Sequence, residues 1–172
     1  TVADTVETQR ALIDHLVIGQ LKAVIGYSYG GHLTYRWGAT YPERMRALVP
    51  IAGVIKRETT QAQVEEIRGR YAKCAGWNGG HYVGNPDAGA VYAELAAARV
   101  ERLTNYGIGD YLADTLGGKD AAAIEIKKRG EAWAQEFDAN CLYQLYEAGI
   151  GSDMTPHADK YRAPLLNVLA DT

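Results

Sequence analysis

The 172-residue sequence contains only two cysteines, no excess of basic residues and no long apolar run. Cys74 and Cys141 lie far apart and form no CxxC pair, so their spacing does not indicate a zinc site. Two free thiols in a cytoplasmic protein are the simpler interpretation, and the sequence leaves a disulfide between them open.

The formal net charge of −3 argues against a nucleic acid or an anionic membrane as partner, since either would require clustered lysine and arginine. The longest basic run, Lys127 to Arg129, lies between Glu125 and Glu131 in a helical pattern, which is typical of a solvated helix face. No segment reaches the roughly 18 apolar residues of a membrane span. We therefore expect one cytoplasmic globular domain that acts on a small molecule.

The beginning of the sequence alternates helical and strand patterns. Apolar residues recur at helical spacing over 2–16, and a short apolar run at 22–27 is typical of a buried parallel strand. A second helix is predicted at about 30–40, ending before Pro42, and a second buried strand at 46–53. Helix, strand, helix and strand in this order predict an α/β fold with parallel strands joined by right-handed crossovers.

Residues 54–160 show helical patterns but no convincing strand. We predict helices at 59–73, 87–105 and 120–148, with an irregular loop rich in glycine and asparagine between the first two. The stretch at 163–170 restores the pattern of a buried strand. A helical insertion between two strands of one sheet predicts a lid over the edge of that sheet.

The pentapeptide "GYSYG" fits the pattern G-x-S-x-G at the point where the first strand ends and a helix begins. A nucleophile at the tip of such a sharp turn has a strained backbone. The residues two positions away, Gly26 and Gly30, must lack side chains so that strand and helix can approach, and Gly31 adds clearance. The pattern therefore predicts Ser28 as the nucleophile and the backbone N–H of Tyr29 as half of an oxyanion hole.

The alternative is that the glycines only form a tight turn and that Ser28 caps the following helix. The buried strand before the motif, the helix after it and the further strand beyond favour the nucleophile. A dinucleotide site fits less well, because the pattern G-x-G-x-x-G is absent.

Four stretches of the sequence resemble the homoserine O-acetyltransferase-like branch of the α/β-hydrolases. Residues 11–53 are similar to the nucleophile region of that branch, and "NGGHY" and "EFDANCLYQL" resemble segments of its lid. The last residues, "YRAPLLNVLADT", are similar to the strand that leads to its catalytic acid. The resemblance implies a partial α/β-hydrolase fold with a core and nucleophile elbow at 1–53, an inserted helical lid at 54–160 and a core strand at 161–172.

The sequence departs from that branch at two places. Tyr27 and Tyr29 flank Ser28 where the acetyltransferases usually have G-G-S-M-G-G, and Gly107 stands where their lid carries the arginine of a Tyr-Arg-Ser motif. Because that arginine is associated with the carboxylate of the substrate, its absence weakens the case for homoserine. Neither departure affects acyl-serine chemistry.

A serine nucleophile needs a base, and a third group orients that base. In α/β-hydrolases the acid follows the serine in the chain, and the histidine follows the acid. The sequence has four histidines, none of which follows the last predicted strand: His15, His32, His81 and His157. We therefore expect the catalytic histidine outside this chain.

The catalytic acid is expected at the carboxyl end of the last strand. Asp171 is one candidate, but the resembling family often places the acid second in an Asp-x-Asp, just beyond Thr172, and we favour that interpretation. Since the sequence begins in a helix and stops after a strand, we expect a fragment of a longer chain. Further polypeptide should then cover the strand at 22–27, from the same chain or from another, with a homodimer as one alternative.

The sequence thus predicts a serine enzyme with an acyl-serine intermediate, and hydrolysis of a small carboxylic ester is the first hypothesis. The alternative, which the resemblance implies, is acetyl transfer from acetyl-CoA to a hydroxyl group. A second alternative is a non-catalytic binding scaffold, although packing alone does not require a strained turn with a serine at its tip. No metal ion or bound cofactor is implied, and acetyl-CoA enters only as a co-substrate of the transfer.

Overall fold

The computed structural model describes residues 1–169, and it divides into two compact units. The core unit comprises Thr1–Gln61 and the described chain from Leu145 onward, and the helical unit comprises Ala62–Gln144. Asp171, one candidate for the catalytic acid, lies outside the described residues. None of the helices in the described part of the chain has the length and apolar character needed to cross a membrane.

The core unit alternates helix and strand as the sequence predicts. Its regular elements are α1 (Val2–His15), β1 (Val24–Tyr27), α2 (Tyr29–Thr40) and β2 (Leu48–Ile51). Thr1 is the N-cap of α1, and the side chain of Asp4 completes a capping box. α2 ends before Tyr41 because Pro42 disfavours helical backbone there, and a 3₁₀ helix at Pro42–Arg44 leads toward β2.

The two strands are parallel neighbours, with Val24 opposite Leu48 and Tyr27 opposite Ile51. α1, α2 and β2 enclose a hydrophobic cluster whose buried members are each at most 3% exposed: Val6, Trp37, Met45 and Leu48. Burial of each such side chain stabilises the fold by roughly 1.5–3 kcal/mol. The other face of β1 is open, because Ile25 is 64% exposed in the described structure.

The third predicted strand, at 163–170, is less regular than expected. As far as residue 169 it runs parallel to β2 but pairs with it at two isolated bridges only, which involve Leu165 and Val168. The backbone N–H of Val168 donates to the carbonyl oxygen of Pro50 at 3.0 Å, but Pro50 has no N–H to donate in return. The proline in β2 therefore interrupts the ladder that would make this segment a continuous strand.

Within the described residues, five α-helices follow β2: α3 (Gln61–Ala72), α4 (Gly89–Asn105), α5 (Ile108–Leu116), α6 (Lys119–Glu136) and α7 (Ala139–Ala148). α3 and α4 agree with the helices predicted at 59–73 and 87–105 to within two residues at each end. The prediction of one helix at 120–148 was wrong. Phe137 adopts an extended conformation that ends α6, and Asp138 then accepts a hydrogen bond from the N–H of Asn140 at 2.9 Å and so begins α7.

The sequence patterns also missed α5. It lies between Gly107, with φ 72°, and Gly117, with φ 85°. Both glycines adopt the left-handed conformation that ends a helix or separates two helices. These helix boundaries were not recognised in the sequence. Leu112 of α5 is buried in a small cluster with Leu103 of α4 and Ile126 of α6.

Aromatic side chains form the centre of the helical unit. The ring of Trp77 stacks between those of Tyr71 and Tyr82, with centroid separations of 5.7 and 5.5 Å. All three rings are buried, and such pairs contribute about 0.5–1.5 kcal/mol beyond the burial of their area. Cys74 and Cys141 are both free thiols, so the disulfide that the sequence left open does not form.

Candidate active site

Ser28 occupies the single residue between the end of β1 and the beginning of α2. Its backbone has φ 53° and ψ −113°, a sparsely populated conformation with positive φ that costs a residue with a side chain about 1–3 kcal/mol. The side chain is exposed, and its hydroxyl makes no capping hydrogen bond to the first turn of α2. Ser28 therefore occupies the N-cap position of α2 but does not cap the helix through its side chain.

Two backbone hydrogen bonds fix this turn. The N–H of Ser28 donates to the carbonyl oxygen of Ile51 at the end of β2, at 2.8 Å, and the N–H of Gly31 donates to the carbonyl oxygen of Ser28 at 2.9 Å. Because the amide of Ser28 is already bonded, it is not free to bind an oxyanion. The neighbouring strand and the helix together hold the strained residue in place.

The turn at Ser28 requires a residue without a side chain at Gly26. A Cβ atom at this position would lie 2.0 Å from the carbonyl oxygen of Gly30 and 2.6 Å from the hydroxyl oxygen of Thr34. Thr34 is fully buried, and its hydroxyl donates to the same Gly30 carbonyl at 2.9 Å. Thr34 could not be predicted from the sequence, since a lone threonine in a helix forms no recognisable pattern.

The prediction that Gly30 must lack a side chain was wrong. Among the described residues, a Cβ atom on Gly30 would meet no atom within 4 Å, so Gly30 brings its carbonyl group to the contact without needing to lack a side chain. The close approach on the helix side depends instead on Gly31, where a Cβ would lie 2.9 Å from the Cα of Gly53. The motif shows which residues are glycine but not in which direction each Cβ would point.

Tyr29 is the first residue of α2, and the N–H groups at that end of a helix have no intrahelical acceptor. They also lie at the positive end of the helix dipole, which favours negative charge near the Ser28 hydroxyl. This placement supports the prediction that the Tyr29 N–H is an oxyanion donor, and it stays a prediction.

A second strained residue lies at the same edge of the sheet. Ala52 follows β2 directly and has φ 48°, and its N–H donates to the carbonyl oxygen of Val168 at 2.8 Å. The carboxyl ends of β1, β2 and the segment at 165–168 therefore share one edge, where parallel α/β sheets place functional groups. Asp171 follows Val168 by three positions and lies outside the described residues.

His32 lies one turn along α2 from Ser28 and is half-buried. Its Nδ1 is 2.8 Å from the carbonyl oxygen of Val54, so this nitrogen donates and the ring has a fixed orientation. Burial lowers the pKa of His32, the positive charge of Arg57 lowers it further, and the bond to Val54 opposes both effects. The surroundings of His32 therefore favour its neutral form.

The other histidines occupy separate places. His15 is the exposed last residue of α1, and His157 lies in a 3₁₀ helix at Thr155–Lys160. Within the described core unit, no histidine forms a hydrogen bond with the side chain of Ser28. His81 is exposed in the helical unit, in the loop between α3 and α4. No group of three or more histidine, cysteine or acidic side chains in residues 1–169 could hold a metal ion.

No protein-family model matches the sequence. Curated relatives include the homoserine O-acetyltransferases of Desulfotalea psychrophila, at 32% identity over 161 residues, and of Rhodospirillum rubrum, at 34% over 165 residues. Each alignment covers 86% of this chain but 41% of the relative, so the chain spans less than half the length of either protein.

Solved structures give the same fold. The crystal structure of esterase E22 superimposes with a TM-score of 0.77 at 24% identity, covering 98% of this chain and 51% of that one. The homoserine O-acetyltransferase from Bacillus anthracis superimposes with a TM-score of 0.66 at 20% identity, covering 98% and 50%. The chain is homoserine O-acetyltransferase-like and has an α/β-hydrolase fold.

In this homoserine O-acetyltransferase-like chain, Gly107 is the residue that the sequence resemblance matches to the lid arginine of the acetyltransferases. Gly107 is exposed and left-handed, and it forms the junction between α4 and α5. A β-carbon is disfavoured in that conformation, which accounts for a glycine at this junction.

The two segments that resemble the lid of the acetyltransferases contact each other within the helical unit. The amide nitrogen of Asn140 donates to the carbonyl oxygen of Gly80 at 3.0 Å. The hydroxyl of Tyr82 donates to Asp138 Oδ1 at 3.1 Å and accepts a hydrogen bond from the N–H of Ala139 at 2.9 Å. Residues far apart in the sequence therefore form one network, here called the Tyr82 network.

Proposed function

We propose that the protein containing this chain transfers acyl groups through Ser28. The observation that supports this most directly is Ser28 itself, which lies at a strand-to-helix turn with a strained positive φ, an exposed side chain and no capping hydrogen bond from that side chain. Strain of this kind is retained where the surrounding structure fixes it and where it contributes to function. Since the chain matches under half of its relatives' length, activity and substrate are proposals about the whole protein.

The proposed reaction begins when Ser28 Oγ attacks the carbonyl carbon of an ester and its proton passes to a base. The tetrahedral oxyanion accepts a hydrogen bond from the Tyr29 N–H at the positive end of α2. The C–O bond to the alcohol then breaks, and the alcohol leaves with the proton. A second acceptor, water or another alcohol, attacks the acyl-serine and restores the serine hydroxyl.

Water is the acceptor that we favour, so that the enzyme hydrolyses a small carboxylic ester. Gly107 supports this choice, because the sequence resemblance matches this residue, which has no side chain, to the lid arginine of the acetyltransferases that is associated with the substrate carboxylate. Tyr27 and Tyr29 also make the surroundings of Ser28 unlike those in the acetyltransferases. The second candidate is transfer of an acetyl group from acetyl-CoA to a hydroxyl, which the names of the curated relatives support.

The first experiment tests the nucleophile. A fluorophosphonate probe, applied to the protein as encoded in its gene, should label Ser28, and Ser28→Ala should lower ester turnover by about 10⁴-fold or more. Ser152, the other serine of this chain, is buried in the core unit and provides the matched control Ser152→Ala. Labelling that survives Ser28→Ala, with turnover retained, would overturn the assignment.

A second experiment separates the two acceptors. p-Nitrophenyl acetate is supplied alone in one assay, and acetyl-CoA with homoserine in another. Release of nitrophenol well above the rate of homoserine-dependent CoA release is the expected result. Efficient acetyl transfer with slow ester cleavage would favour the transferase.

A further inference from the structure

The side chain of His32 joins α2 to the segment at the end of β2, here called the exit segment (residues 51–54). His32 Nδ1 lies 2.8 Å from the carbonyl oxygen of Val54. A carbonyl oxygen only accepts, so Nδ1 carries the hydrogen of this bond. The acyl transfer proposed above does not use this half-buried imidazole, although the ring is fixed one helical turn from Ser28.

The exit segment follows the start of α2 and contacts it at three successive points. The N–H of Ser28 donates to the carbonyl oxygen of Ile51 at 2.8 Å. A Cβ on Gly31 would lie 2.9 Å from the Cα of Gly53, and a Cβ on Gly53 would lie 2.8 Å from the Cα of Gly31. The third contact is the bond of His32. It is the one contact of the three that a side chain makes.

Both sides of this contact contain a strained residue. Tyr27 is opposite Ile51 in the parallel pair, so the next two residues in register are Ser28 and Ala52. Their φ angles are 53° and 48°, values that residues with a side chain adopt only where the surrounding structure holds them. The amide bond of Ser28 lies at one end of the strained pair. The bond of His32 lies at the other end, just beyond the contact between the two glycines.

The proposed reaction is sensitive to the position of this backbone. Ser28 Oγ and the N–H of Tyr29 belong to adjacent residues, so a shift of the turn moves the nucleophile and the oxyanion donor together. A displacement of about 1 Å can lower a reaction rate about 100-fold, because the reacting atoms must lie within about 3–3.5 Å of each other. A side chain that keeps the turn in place therefore contributes to catalysis without contacting the substrate.

We propose that His32 is a positioning residue, whose Nδ1–H bond to Val54 holds the exit segment against α2 and so fixes the backbone of Ser28 for attack. This inference rests on the proposed function of Ser28 and extends it to a residue outside the G-x-S-x-G motif. His32 acts through the backbone of the turn and not on the substrate. The role requires an N–H donor at the position of Nδ1, and a side chain with such a donor should replace the imidazole.

The first test compares three variants of the protein as encoded in its gene, with p-nitrophenyl acetate as substrate. His32→Leu removes the donor and should lower kcat by about 10- to 100-fold, with KM changed by less than about threefold. His32→Asn places an amide N–H close to the position of Nδ1 and should recover most of this loss. His15→Leu is the matched control, because His15 is exposed at the end of α1.

A second measurement does not depend on turnover. Amide hydrogen exchange at Ser28 reports how often its bond to Ile51 opens. His32→Leu should accelerate this exchange by about tenfold or more relative to the unaltered protein and to His15→Leu, and His32→Asn should not. Urea denaturation of each variant establishes that the protein is folded at the assay temperature, so that a faster exchange reports local opening of the turn.

The two measurements separate failure of this inference from failure of the proposed function. Equal kcat in His32→Leu and His15→Leu, or equal losses in His32→Leu and His32→Asn, would overturn the inference. A loss of kcat with unchanged exchange at Ser28 would also overturn it, since His32 would then not act through the turn. If Ser28→Ala keeps full turnover while His32→Leu still accelerates exchange at Ser28, the proposed function is wrong and the link between His32 and the turn is retained.

Discussion

The turn at Ser28 and the loop at Gly80 both bring a glycine against a neighbouring element, but different atoms make the contact. At the turn, a Cβ on Gly26 would lie 2.0 Å from a backbone carbonyl oxygen. In the loop, a Cβ on Gly80 would lie 2.6 Å from the side-chain oxygen of Asn140. Backbone atoms held by a strand and a helix cannot move away from an added Cβ, whereas the side-chain amide of an asparagine can rotate away from it. The first region is therefore determined by its backbone and the second by its side chains.

The largest effect should come from Gly26→Ala. The new methyl group would overlap the Gly30 carbonyl and force β1 and α2 apart, which should cost about 3 kcal/mol or more of unfolding free energy. Urea denaturation followed by circular dichroism measures this loss.

Gly30→Ala is the matched control for that substitution. A Cβ on Gly30 meets nothing within 4 Å among the described residues, and alanine is favoured over glycine inside a helix by up to about 1 kcal/mol. The two variants should therefore differ in sign. A Gly26→Ala protein as stable as Gly30→Ala would contradict the close approach that defines the turn.

The turn at Ser28 could be predicted because its geometry is imposed by local sequence. A strand, a pentapeptide with fixed glycine positions and a helix are contiguous, so one motif contained most of the information. The direction of each Cβ was not contained in it, which is why Gly30 was assigned a steric role that Gly31 has. The effect of Arg57 on the pKa of His32 could not be predicted, since a single arginine after a strand forms no recognisable pattern.

The Tyr82 network could not be predicted for a different reason. Tyr82 and Asp138 are 56 residues apart, and no local periodicity relates them. The break at Phe137 was missed because helix periodicity continues on both sides of it, so the pattern favoured one long helix. Contacts between distant side chains follow from tertiary packing and not from any one segment.

The second largest effect should come from Tyr82→Phe in the helical unit. The substitution keeps the stacked ring but removes the hydroxyl that accepts from the buried N–H of Ala139 and donates to Asp138. Leaving these groups unsatisfied should cost about 1–3 kcal/mol of unfolding free energy. Tyr92→Phe is the matched control, because the Tyr92 ring packs edge-on against Tyr82. Equal losses in both variants would show that the loss in Tyr82→Phe does not come from the hydrogen bonds of its hydroxyl.

A smaller effect is expected for Thr34→Val, which tests the support of the turn at Ser28. Valine has nearly the same shape as threonine but cannot donate to the Gly30 carbonyl, so the variant should lose about 1 kcal/mol. Ester turnover measured on the same protein should fall as well, if the hydroxyl keeps the Gly30 backbone in register with Gly26. A loss of stability with full turnover would confine Thr34 to a packing role.

The smallest effect should be a pH dependence of stability caused by His32. Burial and the charge of Arg57 lower the pKa of His32 in the folded protein below its ordinary value of 6.5. The unfolded chain therefore binds this proton more readily than the folded chain, so the unfolding free energy should decrease as the pH falls below 6.5 and should level off above it. His32→Gln, which cannot be protonated, should show a weaker decrease over the same range. His81→Gln serves as the control because His81 is exposed in the helical unit. If His32→Gln and the unaltered protein lose stability equally on acidification, the buried ring beside Arg57 does not titrate as the structure implies.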